Sequence, residues 1–177
     1  MQYVSHYQSP LGGILLAADG AGLTGLWFEG QKYFARGLDR EAAERALPVF
    51  ELACKWLDIY FSRREPDIEV PLHLTGTPFQ NEVWELLRTI PYGNTVTYGE
   101  LTKRLAEKKG LPRMSAQATG GAVGRNPVSI IVPCHRVVGA DGSLTGYAGG
   151  VDKKLKLLEL ERADMRALYI PKHGTAL

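Results

Sequence analysis

Two tetrapeptides, Thr77-Pro78-Phe79-Gln80 and Thr97-Tyr98-Gly99-Glu100, constrain this chain more than any other feature. Each has the form of a capping box. The threonine hydroxyl can accept the N–H three residues on, and the glutamine or glutamate can accept the threonine's own N–H. The first also places proline at the first helical position, where its missing N–H has no intrahelical partner to lose. Apolar residues follow at helical spacing: Phe79, Val83, Trp84, Leu86, Leu87 and Ile90 after the first box, Leu101 and Leu105 after the second. Two helices therefore start at fixed points mid-chain, and Pro91-Tyr92-Gly93-Asn94 stops the first of them.

The chain before Thr77 has another pattern. "YVSHYQS", "GGILLAAD" and "GLTGLWFEG" are strand-like, and Ser9-Pro10-Leu11-Gly12 and Asp19-Gly20-Ala21-Gly22 break them with turn signals. Connections this short imply antiparallel neighbours. Residues 41–62 read as helical, with Pro48 suited to begin a helix afresh. Val49, Leu52, Ala53, Trp56, Leu57, Tyr60 and Phe61 make its apolar face, and Cys54 in the same helix reads as structural. The charged, proline-containing stretch before Thr77 suits a linker. The expected organisation is an α+β fold with a small αβ scaffold domain at 1–72, a mostly helical domain at 73–165 and a tail at 166–177. Pro171 and Gly174 argue against regular structure in that tail.

After the second box, Lys108-Lys109-Gly110-Leu111-Pro112 ends the helix, and Ser115 can cap a third, "AQATGGAVG". Two short helices around a tight basic turn fit both a helix-turn-helix and a plain αα-hairpin. The basic residues Lys103, Arg104, Lys108, Lys109 and Arg113, opposed only by Glu107, fit a nucleic-acid surface or a solvated helix face. A net charge of +2 does not discriminate, since a near-neutral protein can carry a basic face. A last helix follows Asp152, with Leu155, Leu158 and Glu161 on or near one side. No run approaches the roughly 18 apolar residues of a membrane span. "MQYVSHYQSP" lacks a signal peptide's basic-then-apolar layout, so a cytoplasmic protein is expected, without a membrane partner. Two cysteines make no disulfide framework, and there is no CxxC or HExxH. His6, His73, His135 and His173 are scattered, so neither a metal site nor a cofactor is expected.

The stretch "IIVPCHRVVG" is where the chain stops looking generic. Residues 129–132 are apolar and largely β-branched, which predicts a buried strand or extended segment, and Pro133 ends it. A buried thiol in apolar surroundings has a raised pKa and is inert. To react, Cys134 needs a group to take its proton. His135 is adjacent, although neighbouring side chains often point apart, so a turn or a bridging water would have to connect them. A carboxylate should then orient the imidazole, and Glu161 is a candidate. On the residues alone, Cys134 is either a buried filler or a nucleophile.

A series of matches in order decides which expectation to carry forward. "TPFQNEVWELLRTIPYGNTVTYGEL" resembles the entry segment F-x-x-x-V-W…I-P-x-G-x-x-x-x-Y-x-x-L of the O6-alkylguanine-DNA alkyltransferases. "GGAVGRNPVSIIVPCHRVVGADGSLTGYAGG" resembles that family's N-P…P-C-H-R-V signature and following loop, and "LLELE" its L-L-x-x-E helix. The resemblance implies a ribonuclease-H-like N-terminal domain. It also implies single-use transfer of an alkyl group from O6-alkylguanine, or O4-alkylthymine, in double-stranded DNA to a cysteine. By position it implies Cys134 as acceptor, His135 as the base acting through a water, and Glu161 as its orienting carboxylate. Asn126 holds the turn before the active-site strand, and Tyr98 donates to the departing base. The carbonyls of Cys134 and Val137 accept from the guanine amine, Tyr147, Ala148 and Gly149 wall the pocket, and Arg136 is structural. A helix-turn-helix in the minor groove would contact DNA through Arg113, Ser115, Ala116, Gln117, Thr119, Gly120 and Arg125, with one chain acting as a monomer. Gln117 stands where the family often has an intercalating arginine; a glutamine can intrude but lacks the charge and the guanidinium plane. The alternatives are a lesion-binding sensor without transfer, a cysteine hydrolase using the Cys-His pair, and a transcription regulator. The intact Cys134, His135 and Glu161 argue against the sensor, the helix-turn-helix against the hydrolase, and the absence of a cysteine-rich metal motif against the regulator.

Overall fold

Tyr3–Ser9 (β1), Gly12–Ala18 (β2) and Leu23–Phe28 (β3) form an antiparallel meander in the computed structural model, which describes residues 1–172. Side chains fix both turns. The Ser9 hydroxyl accepts the Leu11 N–H, and the Asp19 carboxylate accepts the N–H groups of Ala21 and Gly22. Pro48–Phe61 (α1) buries Phe50, Ala53, Leu57 and Tyr60, and packs on β1 and β2.

The helix expected over 41–62 is shorter than that. Pro48 occupies its first turn and holds Leu47 extended at φ −131° and ψ 147°. The residues before it are thus free of the helix, and Ala43–Glu44 (β4) pairs parallel with Tyr3 and Val4. The sheet order is β3-β2-β1-β4. The stretch read as a linker also takes part: Leu23 N–H donates to the Pro71 carbonyl and His73 N–H to the Leu23 carbonyl, both at 2.8 Å. Further along the same strand, Leu26 N–H donates to Pro127 and Ser129 N–H donates to Leu26. Met1–Thr75 and Pro127–Ser129 together make one compact unit.

The second unit comprises Gly76–Asn126 and the chain from Ile130 onward. Both capping boxes form in full and start Pro78–Leu87 (α2) and Tyr98–Lys108 (α3). The Ser115 hydroxyl accepts the Ala118 N–H at 3.2 Å and caps Ala116–Gly124 (α4), as read from sequence. The Trp84 indole N–H donates to the Ala122 carbonyl at 2.9 Å and pins α2 to α4. Val96–Thr97 (β5) and Val137–Val138 (β6) form a short parallel pair. Val151–Leu160 (α5) closes the unit, with Glu161 as its C-cap residue rather than inside it.

Residues 129–132 are a buried turn, not a strand. Ile130 sits at φ 70°, and the Val132 carbonyl is drawn inward by the Asn126 side chain. Part of the tail also docks. Leu144 N–H donates to Tyr169 and Tyr169 N–H to Gly142, so Tyr169 bridges beside Ser143. A Cβ on Gly142 would fall 1.8 Å from the Ala167 carbonyl oxygen, so only glycine permits this approach. Residues 173–177, with His173 and Gly174, lie outside the described residues. Among the described residues no helix is long and apolar enough to cross a membrane.

Thr77→Ala removes one half of the first box. The expected loss is about 1 kcal/mol of stability in the second unit, read as a lower urea midpoint. An unchanged midpoint would mean that Pro78 alone fixes the start of α2.

Candidate active site

Cys134, His135 and Arg136 form one turn of 3-10 helix between Pro133 and β6. In such a turn successive side chains diverge by about 120°. Residues adjacent in the chain therefore meet different partners.

Cys134 is 7% exposed, and its sulfur accepts the Asn126 Nδ2–H at 3.2 Å. The same amide donates to the Val132 carbonyl at 2.8 Å, so Asn126 ties the turn to the sulfur. Burial pushes the Cys134 thiol pKa up; the Asn126 amide, the Lys154 charge and the local backbone N–H groups oppose it without cancelling it. The resting group is a neutral thiol.

His135 is fully buried, and its Nε2 lies 2.7 Å from Glu161 Oε1. Burial drives its pKa down, against the pull of Glu161, so the ring is neutral. A neutral imidazole that donates Nε2–H carries its basic lone pair on Nδ1. Glu161 Oε1 also accepts from Arg136 Nη2 at 2.9 Å, and Oε2 accepts from Arg136 Nε at 2.9 Å and from the Gly93 N–H at 3.1 Å. Burial alone would raise the Glu161 pKa, but His135 and Arg136 hold it well below the usual carboxylate range. Arg136 donates its remaining arm to the Ile90 carbonyl at 2.7 Å and lies over the Tyr92 ring. Its expected structural place is thus filled by a two-pronged grip on Glu161.

Around this cluster stands a second group. Tyr98, the first residue of α3, donates its hydroxyl to the Thr145 carbonyl at 3.2 Å. Burial, then the charge of Cys134, raise its pKa and keep it protonated. Tyr147 meets His135 edge-on, with ring centroids 6.4 Å apart at 87°. Ala148 and Gly149 are half-buried and lead into Gly150, whose φ of 100° turns the chain into α5. The Val137 carbonyl accepts from Lys154 Nζ, a residue the sequence reading passed over. Lys154 stands three and four residues before Leu157 and Leu158, on the buried stripe of α5, and a charge in that register was the available signal.

The remaining candidates lie on α4 and its flanks. Arg113, Ser115, Ala116, Gln117 and Arg125 are exposed. Gln117, Gly120 and Arg125 line an open cleft of about 820 Å³ together with Phe79, Tyr98 and Thr145. Gly120 therefore keeps a place on this face, but Thr119 does not. It is fully buried and donates its hydroxyl to the Ser115 carbonyl at 3.2 Å, in a helix that packs against α2 and α3. Of the basic run, Lys109 pairs with Glu82 at 2.8 Å, while Lys103, Arg104 and Lys108 are exposed. Among the described residues no three His, Cys, Asp or Glu side chains come together as metal ligands.

Residues 2–74 match the family model for the ribonuclease-like domain of 6-O-methylguanine DNA methyltransferase, and residues 78–163 match that for its DNA binding domain. A methylated-DNA–protein-cysteine methyltransferase of Haemophilus influenzae is 41% identical over 161 residues, 90% of this chain and 86% of the relative. One of Mycobacterium leprae is 46% identical over 154 residues, 87% of this chain and 88% of the relative. The crystal structure of Mycobacterium tuberculosis O6-methylguanine methyltransferase gives a TM-score of 0.77 at 42% identity, covering 92% of this chain and 93% of that one. Mycobacterium tuberculosis OGT in complex with DNA gives the same score and identity over 90% and 92%.

Glu161→Ala would leave the Arg136 guanidinium buried without its carboxylate, at an expected cost of about 3–5 kcal/mol. The pH dependence has a definite sign. The folded pKa of Glu161 lies below its unfolded value, so its contribution is complete above about pH 5 and is lost as pH falls toward the folded value. Urea midpoints at neutral pH and in acid should therefore fall less for Glu161→Gln than for the unaltered protein. Equal acid sensitivity would show that Glu161 does not carry this linkage.

Proposed function

The chain belongs to the 6-O-methylguanine DNA methyltransferase family, which repairs alkylated DNA by moving the alkyl group to a cysteine of the protein itself, and from that premise we propose that Cys134 is the acceptor. The observation that carries this reading is the buried series of contacts from Glu161 to His135 at 2.7 Å, beside a sulfur that accepts an amide hydrogen from Asn126 at 3.2 Å.

The alkylated guanine leaves the stack, because its alkyl carbon cannot be reached inside the duplex. The cleft beside Tyr98 has the volume for a nucleobase. The Cys134 proton passes across a bridging water to His135 Nδ1, and the imidazolium is stabilised by Glu161, which Arg136 keeps ionised. The thiolate attacks the alkyl carbon. A sulfur–carbon bond forms, the carbon–O6 bond breaks, and its electron pair leaves on the guanine. The protonated Tyr98 hydroxyl donates to the departing base, which is a better leaving group neutral than as an anion. The carbonyls of Cys134 and Val137 accept the exocyclic amine, and Tyr147, Ala148 and Gly149 wall the base. The thioether is not broken again, so each molecule acts once.

The DNA-facing element is α4, presented to the minor groove. Gln117, Gly121 and Arg125 recur every four residues and share one face. The Arg125 guanidinium donates to the Gly121 carbonyl at 3.1 Å and lines the same cleft as Gln117. Gln117 enters the stack, and Arg125 supplies beside it the positive charge that glutamine lacks. Lys103, Arg104, Lys108 and Arg113 face the phosphates. One chain suffices, because every group named here belongs to the second unit.

Incubated in stoichiometric amounts with a duplex carrying one O6-methylguanine, the protein should gain one methyl on the Cys134 peptide by mass spectrometry, with no second turnover. Lesion DNA held tightly with no gain in mass would replace this reading with that of a lesion sensor. Affinity should also fall steeply with salt, the slope reporting the number of phosphates neutralised. A flat dependence would make the basic run a solvated face.

A further inference from the structure

The chain after Glu161 has no task in the transfer just described, yet it lies against the loop that walls the pocket. Arg162 takes the left-handed conformation at φ 59°, which costs an arginine about 1 kcal/mol. It does so inside a Schellman motif: Arg162 N–H donates to the Glu159 carbonyl and Ala163 N–H to that of Leu158, both at 3.0 Å. The turn brings Ala163, Met165 and Leu168 into one apolar cluster with Val138, Leu144 and Leu158. Tyr169 then adds itself to the loop between β6 and α5. Its N–H donates to the Gly142 carbonyl at 3.1 Å, and its carbonyl accepts the Leu144 N–H at 2.9 Å, the two bonds of a parallel bridge at Ser143. Its hydroxyl donates to one oxygen of the Asp141 carboxylate, whose other oxygen accepts the Ser143 N–H at 3.0 Å.

The residues that follow this bridge face the reaction. The Thr145 carbonyl accepts the Tyr98 hydroxyl at 3.2 Å, and Tyr147 meets His135 edge-on. The loop has little of its own to hold them there. Gly142, Gly146 and Gly150 all sit at positive φ, and glycine loses the most backbone freedom when it is ordered. Two of the loop's own bonds, Gly139 N–H to Ser143 and Gly142 N–H to Gly139, close the turn over 139–143 and end before Leu144. Leu144 is instead fixed from outside, by the tail's backbone at Tyr169 and by the apolar cluster.

Resting on the reading that Cys134 is the acceptor and that Tyr147, Ala148 and Gly149 wall the base, we infer that residues 163–170 are a strap that holds this wall in place for the transfer, with Tyr169 and Gly142 as positioning residues. Gly142 admits the strap, since a Cβ there would fall 1.8 Å from the Ala167 carbonyl oxygen. Tyr169 fastens it one residue before Leu144 turns toward Thr145. The left-handed Arg162 is the bend that makes the strap reach.

The test compares Tyr169→Pro and Gly142→Ala with the unaltered full chain. The proline removes the N–H given to Gly142, and the alanine displaces Ala167 from the other side, so the two variants free one strap by unrelated means. Hydrogen exchange read by mass spectrometry reports the order of residues 143–149. Single-turnover methyl transfer from an O6-methylguanine duplex at saturating DNA reports the rate, and Kd for the same duplex is measured separately. Both variants should exchange faster over 143–149 and transfer about tenfold more slowly at saturation, the scale of a reacting group shifted by a fraction of an ångström. Kd should hold, because α4 and the basic run are untouched. Arg166→Ala, whose side chain pairs with Asp164 at the surface, is the control and should match the unaltered protein. If Gly142→Ala fails to fold, Tyr169→Pro, made at an exposed position, decides alone. A saturating rate equal to that of the unaltered protein overturns the inference, whether or not exchange rises. A weaker Kd with an unchanged saturating rate overturns it too and makes the tail a DNA contact. The two readings fail separately: normal transfer by the unaltered protein and by both variants removes the strap alone, whereas an unaltered protein that takes up no methyl removes the acceptor assignment and the strap's role with it.

Discussion

Glu161 is a carboxylate with no access to water, and the second unit is arranged so that it can stay ionised there. Its two oxygens accept from His135, from two nitrogens of Arg136 and from the Gly93 N–H. Those donors come from the 3-10 turn and from the loop that follows α2, while Glu161 itself caps α5. Moving any of these elements would strand a buried charge, which is far costlier than losing a neutral hydrogen bond. The carboxylate is thus both a structural knot and the group that sets the tautomer of His135.

Cys134 neighbours that knot in the chain but is separated from it by its own geometry. The 3-10 turn sends Cys134 and His135 apart, so the thiol is not activated by simple adjacency. At rest it is buried, neutral and held by Asn126. This suits the acceptor role proposed for Cys134: a thiolate standing in the open would be spent on any passing electrophile. Asn126 also closes the turn through Val132, so the same amide shapes the backbone and holds the sulfur.

The face of α4 is built from absences. Ala116, Ala118, Gly120 and Gly121 give it little side-chain bulk, so a partner's backbone can come close. Thr119 is turned inward and helps to seat the helix, and the Trp84 indole fixes it from behind. At one end stands Gln117 and at the other Arg125, eight residues on, with its guanidinium laid across Gly121. A Cβ on Gly121 would come within 3.3 Å of that guanidinium, so the small residue and the arginine form one device.

What the sequence determined by itself is what short-range interactions decide. The capping boxes at Thr77 and Thr97, the Ser115 cap, the three meander strands and the start of α1 at Pro48 are each set by residues within a turn of one another. The signature around Cys134 was legible as an ordered motif, while its link to Glu161, far along the chain, was available only as what the family resemblance implied. The structure decided everything that needed a partner from far along the chain. Ala43–Glu44 became a strand because β1 offered an edge, and residues 129–132 became a turn because Asn126 reached for Val132. The tail docks at Tyr169 because Gly142 has no side chain to keep it away. Lys154 was hidden because hydrophobic periodicity counts a lysine as solvated, whereas two carbonyls from distant segments make a buried seat for it. Local propensity is written in neighbouring residues; the environment of a charge is set only when the chain has folded around it.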